Sequence, residues 1–334
     1  MRTSLSDLLA TKKIILADGA TGTNYFALGL TSGEPPEFWL DSHPERVAGL
    51  HQQFVDAGAD IILTNTFGCN SHRLKLHNAQ ARTYELAKKA AEIARGVADS
   101  CSRPVVVAGS VGPTGELFEP LGALTHEVAV ASFEEQIRGL KDGGADVIWI
   151  ETMSAIEEVQ AAAQAAINIS MPYTATCSFD TAGRTMMGLK PDGLVEVFAG
   201  LAEAPVAMGA NCGVGASDIL VTALEMGATA SHSHLPIIVK GNCGIPRFEG
   251  VEIKYSGTPE LMARYATMAV DAGVRIVGGC CGTSPEHLAA MRVAIDSHVD
   301  GPRPTIETII ADIGPLTNKP PTDNDPNRRK SRRG

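Results

Sequence analysis

The chain has 334 residues, of which 44% are hydrophobic and 20% are charged, and its formal net charge is −10. This composition is typical of a soluble globular protein with a large core, and the acidic balance argues against the basic surface that nucleic-acid binding requires. No apolar run approaches the roughly 18 residues of a transmembrane helix, and the N-terminal residues lack the apolar segment of a signal peptide. We therefore expect a cytoplasmic protein with a small-molecule ligand, no nucleic-acid partner and no membrane partner.

Eight short apolar runs alternate with segments of helical periodicity along the chain. The runs are residues 14–20, 60–67, 105–111, 146–153, 173–179, 206–212, 237–241 and 275–280. Continuous apolar strands of this kind are typical of parallel sheets that are buried on both faces. Eight alternating units, with no GxGxxG motif after the first run, favour a closed (β/α)8 TIM barrel over a doubly wound sheet.

The sequence predicts one barrel domain flanked by two short segments. Residues 1–13 are expected to form a leading helix across the bottom of the barrel, and residues 14–300 the barrel itself. Residues 301–334 are rich in Pro, Asn, Asp and Arg and carry little apolar surface. We expect this C-terminal extension to be disordered from about residue 316, because it cannot offset the chain entropy lost on folding.

Helix starts can be read at three points between the strands. Ser154 and Glu157 have the spacing of a capping box. Thr258 and Ser284 each precede a proline, which is the pattern of an N-cap followed by proline at the first helical position. A helix is therefore expected to begin after Ser154, Thr258 and Ser284.

Three cysteines fall where the predicted sixth and eighth strands end. Cys212 lies in a Gly-Ala-Asn-Cys-Gly segment, and Cys280 and Cys281 are adjacent in Gly-Gly-Cys-Cys-Gly-Thr. The carboxyl ends of barrel strands meet at one mouth, and the flanking glycines permit the sharp turn that would bring adjacent side chains to one ion. Three thiolates suit a catalytic Zn²⁺ site, which keeps its fourth position open. Buried packing cysteines and a strained vicinal disulfide are the alternatives.

The remaining cysteines offer a possible fourth ligand. Cys243 follows the seventh run and would close the zinc site, which would make it structural instead of catalytic. Cys69, Cys101 and Cys177 are interpreted as packing residues. Seven cysteines in all, without the spacing of a secreted disulfide framework, favour reduced thiols.

Several ordered motifs resemble the homocysteine S-methyltransferase family over about residues 12–297. Besides the cysteine segments, they are Asp-Gly-Ala-Thr-Gly-Thr at 18–23, Thr-Asn-Thr-Phe-Gly at 64–68, Gly-Ser-Val-Gly-Pro-Thr-Gly at 109–115 and Glu-Thr at 151–152. The resemblance implies a (β/α)8 barrel that methylates homocysteine to methionine, with Zn²⁺ held by Cys212, Cys280 and Cys281. Homo-oligomerisation stays open.

The resemblance also implies a binding site for the amino-acid portion of homocysteine. Asp18, Gly19 and Glu151 match the family positions with that role. Two carboxylates at the catalytic face suit an α-ammonium group. The alternatives are that Asp18 caps a turn and that Glu151 pairs with a cation on a helix.

Several aromatic residues are candidates for binding the methyl donor. Aromatic faces bind fixed positive charges, and the candidates near the first and second strands are Tyr25, Phe26, Phe38, Trp39 and Phe67. Trp39 lies where betaine-dependent members of the family have a donor-binding tryptophan, which favours betaine. However, those members have tyrosines at the positions of Gly68 and Thr152. In lacking these tyrosines, the chain is similar to the methionine synthase module.

Other donors and one non-enzymatic role therefore stay open. The alternative donors are S-methylmethionine, dimethylsulfoniopropionate and a separate methyl-corrinoid protein. The non-enzymatic alternative is a zinc-binding or thiol-binding sensor on the same barrel.

Overall fold

Eight parallel strands close into a barrel in the computed structural model, which describes residues 2–228, 235–244, 246–249 and 252–318. The barrel strands are β1 (Ile15–Leu16), β2 (Ile61–Leu63), β3 (Val106–Val111), β4 (Val147–Met153), β5 (Tyr173–Cys177), β6 (Ala207–Cys212), β7 (Ile237–Gly241) and β10 (Ile276–Gly279). They neighbour one another in the order β1-β10-β7-β6-β5-β4-β3-β2. A parallel bridge between Ala17 and Ile61 joins the two ends of this order. The predicted (β/α)8 barrel is confirmed.

Helices cover the outside of the barrel and its two ends. They are α1 (Leu5–Thr11), α2 (Gly22–Ala27), α3 (Trp39–Ser42), α4 (Pro44–Asp56), α5 (Ser71–Leu74), α6 (Thr83–Ser100), α7 (His126–Asp142), α8 (Ile156–Asn168), α9 (Ala216–Ala228), α10 (Pro259–Asp271), α11 (Pro285–Asp296) and α12 (Ile306–Asp312). The connection from β5 to β6 carries a 3-10 helix, Pro191–Phe198, in place of an α-helix. A hairpin of β8 (Pro246–Glu249) and β9 (Glu252–Tyr255) lies between β7 and α10.

The barrel interior is a packed core closed at one end by α1. Leu5 and Leu8 of α1 belong to the same buried cluster as strand residues such as Ile15, Val106 and Trp149. Ser4 caps α1, because its hydroxyl accepts the Asp7 N–H. The leading helix therefore seals the bottom of the barrel and leaves the opposite mouth for ligands.

Two of the three predicted helix starts are confirmed. Thr258 is the N-cap of α10 and accepts the Leu261 N–H, and Ser284 is the N-cap of α11. The third helix, α8, begins at Ile156, close after Ser154, but the predicted capping box of Ser154 and Glu157 is wrong. The N-cap of α8 is Ala155, and Glu158 in its first turn accepts the backbone N–H and hydroxyl of Thr114.

The chain beyond the barrel continues through α12. After this helix, the backbone N–H groups of Thr317 and Asn318 donate to the Asp218 carboxylate on α9. Residues 319–334, which make up most of the segment predicted to be disordered, lie outside the described residues. Across the ranges that the structure describes, no helix combines the length and apolar character needed to cross a membrane.

The packing of α7 against α6 predicts opposite effects for two helical glycines. A Cβ at Gly139 would lie 2.5 Å from the Tyr84 carbonyl oxygen, whereas a Cβ at Gly96 would meet nothing within 4 Å. We expect Gly139→Ala to lower the free energy of unfolding by about 1–3 kcal/mol, because overpacking forces the helices apart. Gly96→Ala should raise it by about 0.5–1 kcal/mol. Urea denaturation of both variants checks this, and equal effects would contradict the packing.

Candidate active site

The three predicted metal-ligating cysteines converge at the open mouth of the barrel. The sulfur atoms of Cys212, Cys280 and Cys281 all lie within 4.8 Å of one another, and we call this group the thiol cluster. The Cys212 and Cys281 Sγ atoms are 4.0 Å apart. These residues come from β6 and from the turn after β10, so the cluster depends on the pairing of both strands with β7 between them.

Backbone turns at both strand ends aim the sulfurs inward. The Cys280 N–H donates to the Gly241 carbonyl over 2.7 Å, and the Cys281 N–H donates to Asn242 Oδ1 over 3.1 Å. Gly282 has a φ of +81°, so this glycine supplies the left-handed backbone of the turn after Cys281. Cys212 itself has a φ of +60°, which the sequence did not indicate. A residue other than glycine in this region is strained, and such strain is concentrated at functional sites.

The spacing of the thiol cluster fits a zinc ion. Three sulfurs, each about 2.3 Å from one tetrahedral zinc ion, lie about 3.8 Å apart. Hydrogen bonding with Cys280, together with burial, raises the pKa of Cys212 to about 12. Hydrogen bonding with Cys212 and burial likewise raise the pKa of Cys281 to about 11. Thiols in these surroundings stay protonated at neutral pH without a cation, whereas a coordinated metal ion deprotonates them.

Cys243 is not part of the thiol cluster. It is buried, and its backbone N–H donates to the Cys281 carbonyl over 2.9 Å. Burial raises the pKa of its thiol to about 12. Within the described ranges, the group with metal-ligand spacing contains three cysteines only, which is the ligand number of a site with an open position.

Asn211 connects the thiol cluster to two neighbouring strands. Its Nδ2 donates to the Thr152 hydroxyl over 2.7 Å and approaches Cys280 Sγ at 3.9 Å. Its Oδ1 accepts the Thr152 N–H and the Thr176 hydroxyl, each over 2.7 Å. One amide therefore fixes the ends of β4 and β5 relative to Cys280, one of the three candidate ligands, in the way that outer-shell partners orient metal ligands.

Glu151 reaches the cavity at the end of β4, as the sequence predicted for a substrate-binding residue. It is buried, lines the cavity with the thiol cluster, and accepts a hydrogen bond from the Ser110 hydroxyl. Burial raises its pKa, while the charge of Lys240 and the Ser110 hydrogen bond act in the opposite direction. Gly19 also lines the cavity, and a Cβ there would lie 2.6 Å from the Thr283 carbonyl oxygen.

Asp18 lies behind the cavity wall and pairs with a lysine that the sequence reading missed. Lys240 Nζ lies 2.6 Å from Asp18 Oδ1, and the Leu63 N–H donates to Asp18 Oδ2 over 2.7 Å. Lys240 lines the cavity, whereas Asp18 is not among the lining residues. A lysine inside the apolar run 237–241 was the available signal. Burial lowers the pKa of Lys240, but the Asp18 and Glu151 charges outweigh burial and the net shift is upward.

The structure does not bring Trp39 to the cavity, which corrects the sequence prediction for this residue. Trp39 is only 1% exposed and is not among the lining residues. Its ring packs against Tyr25 at 5.2 Å between centroids, and the Arg46 guanidinium lies 5.1 Å from its centroid. Trp39 therefore packs in the core, where it holds α3 against its neighbours.

The outer wall of the cavity combines two phenylalanines with charged groups. The cavity has a volume of about 470 Å³, within the range of small-molecule sites. Phe26 and Phe67 line it and are 53% and 41% exposed. Glu37 and Arg73 line the same wall, and neither was singled out from the sequence.

These features define a TIM-barrel protein with a three-thiol candidate metal centre and a charged cavity at the carboxyl ends of its strands. The chain belongs to the homocysteine S-methyltransferase family, whose family model matches residues 15–295.

Two methionine synthases are similar to most of this chain. The Mycobacterium tuberculosis enzyme is 29% identical over 309 residues, which are 88% of this chain and 25% of that protein. The Mycobacterium leprae enzyme is 29% identical over 321 residues, which are 90% of this chain and 26% of that protein. The chain therefore spans about a quarter of the length of these relatives.

Solved structures of the Escherichia coli homocysteine methyltransferase MmuM share the fold. Its metallated form gives a TM-score of 0.73 at 24% identity and covers 86% of this chain and 99% of that chain. Its oxidised form gives the same TM-score and identity and covers 86% and 98%. This likeness supports the barrel architecture.

Proposed function

We propose that this protein catalyses zinc-dependent methyl transfer to the thiol of homocysteine, which gives methionine. The observation that carries the proposal is the thiol cluster, whose sulfurs lie within 4.8 Å of one another on a cavity that Glu151 and Lys240 also line. Membership of the homocysteine S-methyltransferase family supports this substrate. Reduced thiols in such a site fit the cytoplasm.

Cys212, Cys280 and Cys281 would hold the zinc ion. A free thiol has a pKa near 8.5, and zinc bound by these residues would keep the homocysteine sulfur in its reactive thiolate form at neutral pH. Asn211 would orient Cys280, since its amide lies 3.9 Å from that sulfur.

The charged groups beside the thiol cluster match an amino acid. Glu151 would accept hydrogen bonds from the α-ammonium group of homocysteine, and the Lys240 ammonium would bind its α-carboxylate. Asp18 then acts as a positioning residue, because its carboxylate holds Lys240 at 2.6 Å behind the wall. This assignment replaces the direct contact between Asp18 and the substrate that the sequence suggested.

The transfer itself is a displacement at a methyl carbon. The homocysteine sulfur forms a bond to the methyl group, the carbon bond to nitrogen or sulfur of the donor breaks, and its electron pair leaves with a neutral amine or sulfide. No proton moves in this step. Rate acceleration would come from holding the sulfur and the methyl carbon in line inside the cavity.

Betaine is the donor that we propose, because exposed aromatic rings on the outer wall suit its fixed positive charge. S-methylmethionine and dimethylsulfoniopropionate carry a comparable charge and are alternatives. Similarity to methionine synthases supports a further alternative, in which a methyl-corrinoid protein supplies the methyl group.

Methionine formation tests the proposal directly. The full chain is loaded with zinc and incubated with homocysteine and each donor separately, and methionine is quantified by mass spectrometry. We expect turnover with betaine, and none with any donor after Cys212→Ala. A Cys177→Ala variant is the matched control, because that cysteine is buried outside the cluster. Homocysteine binding without turnover by any donor, corrinoid included, would instead favour a thiol-binding sensor.

A further inference from the structure

A buried carboxylate that was not singled out from the sequence forms part of the outer cavity wall. Glu37 is 3% exposed and lines the cavity. The Gly68 N–H donates to its Oε1 over 2.7 Å. The preceding residue, Pro36, is also tied to the end of β2, because Asn65 Nδ2 donates to its carbonyl over 2.7 Å. Two hydrogen bonds to the loop after β2 therefore fix the position of Glu37.

The absence of a side chain at residue 68 makes room for this carboxylate. A Cβ at Gly68 would lie 3.0 Å from Glu37 Oε1, which is tighter than an ordinary contact. Residue 68 is the position at which the resemblance leads one to expect an aromatic residue in betaine-dependent members. In this chain a carboxylate occupies the wall next to that position, so the donor would meet an anion there.

Glu37 lacks a close cationic partner. Within the described ranges it forms no salt bridge. Burial raises its pKa, while the Gly68 hydrogen bond and the Arg73 charge act in the opposite direction. Burying an anion without a paired cation costs free energy, which a bound cation would recover. The carboxylate is therefore complementary to a positively charged ligand.

Phe67 gives the same wall an aromatic face. Its ring lines the cavity and packs on Gly112, where a Cβ would lie 2.7 Å from the ring carbons. This close packing holds the ring in place. A quaternary ammonium or sulfonium group binds well against an aromatic face, and more strongly where an anion is also nearby.

We propose that Glu37 and Phe67 bind the cationic methyl-bearing group of a zwitterionic donor, and that Arg73 binds the carboxylate of the same donor. This inference rests on the proposed methyltransferase function and narrows its donor to small ammonium or sulfonium compounds that also carry a carboxylate. Glu37 and Arg73 line the same cavity with opposite charges, as the two ends of such a donor require.

Binding of two probes by the zinc-loaded full chain tests the proposal. Glycine betaine carries both charges, whereas tetramethylammonium carries only the cation. In isothermal titration calorimetry, Glu37→Gln should bind both probes with an affinity roughly tenfold or more below that of the wild type. Arg73→Gln should lose affinity for betaine by a similar factor and keep it for tetramethylammonium. Glu34→Gln is the matched control, because Glu34 lines the same cavity and bonds to Thr31 at the surface.

A second variant and a second readout keep the test decisive. Gly68→Ala crowds the Glu37 carboxylate without removing it, and it should lower the affinity for both probes. Zinc content and homocysteine binding, measured on every variant, should match wild type, which excludes misfolding and separates this proposal from the methyltransferase proposal. Unchanged tetramethylammonium affinity in Glu37→Gln, or no binding of either probe to the wild type, would overturn the donor site even if homocysteine still binds.

Discussion

Purified Cys281→Ala protein is expected to contain less than a tenth of the zinc in the wild type and to form no detectable methionine. Cys281 supplies one of three sulfurs within 4.8 Å of one another, and its removal leaves two ligands. Loss of an outer-shell partner alone costs about 10–100-fold in metal affinity, and loss of a direct ligand should cost more. Atomic absorption measures the metal, and cobalt substitution reports thiolate coordination by its absorption spectrum.

Cys243→Ala is the matched control for this experiment. Cys243 is buried beside the turn and its N–H donates to the Cys281 carbonyl, but its sulfur lies outside the thiol cluster. Its replacement should leave the zinc content at the wild-type level. Full zinc content in Cys281→Ala would contradict the three-cysteine assignment, and zinc loss in Cys243→Ala would make Cys243 a fourth ligand.

Asp18→Asn is expected to destabilise the protein by about 3–5 kcal/mol, the usual cost of removing one partner of a buried ion pair. The substitution leaves the Lys240 ammonium buried without its partner at 2.6 Å. It should also weaken homocysteine binding, since the ammonium loses the carboxylate that holds it. Urea denaturation measures the stability, and calorimetry with the zinc-loaded protein measures the affinity.

The double variant Asp18→Asn with Lys240→Met separates these two effects. Removing both charges should recover most of the lost stability, because no uncompensated charge remains. Homocysteine affinity should stay low. A thiol without the carboxylate, 3-mercaptopropylamine, should bind the wild type and Lys240→Met equally well. A difference between them would contradict the contact between Lys240 and the substrate carboxylate.

The barrel and the convergence of three cysteines at its mouth could be predicted because their signals are local. Each strand is a short apolar run, and the glycines around Cys280 and Cys281 mark a turn wherever the rest of the chain lies. Seven of the eight observed strands are shorter than the runs, since residues such as Asp18 already belong to the mouth. The 3-10 helix Pro191–Phe198 escaped prediction because its apolar periodicity resembles that of an α-helix.

The charged part of the site was less predictable, because it depends on contacts between distant segments. Lys240 and Asp18 are separated by 222 residues, and Glu37 and Gly68 by 31. The sequence around each of these residues does not indicate which distant residue it contacts. The prediction that Trp39 contacts the donor was wrong for the same reason, because its burial against Tyr25 depends on tertiary packing.

The order of the strands divides the site between two portions of the chain. The thiol cluster and its supporting turns come from β6, β7 and β10, which are consecutive neighbours in the sheet. Glu151, Ser110, Phe67 and Glu37 all precede β5 in sequence. A homocysteine molecule held by its sulfur on one side and by its ammonium group on the other would link the two sides of the barrel. Because a ligand stabilises the state that binds it, substrate and metal together would tie the early strands to the late ones.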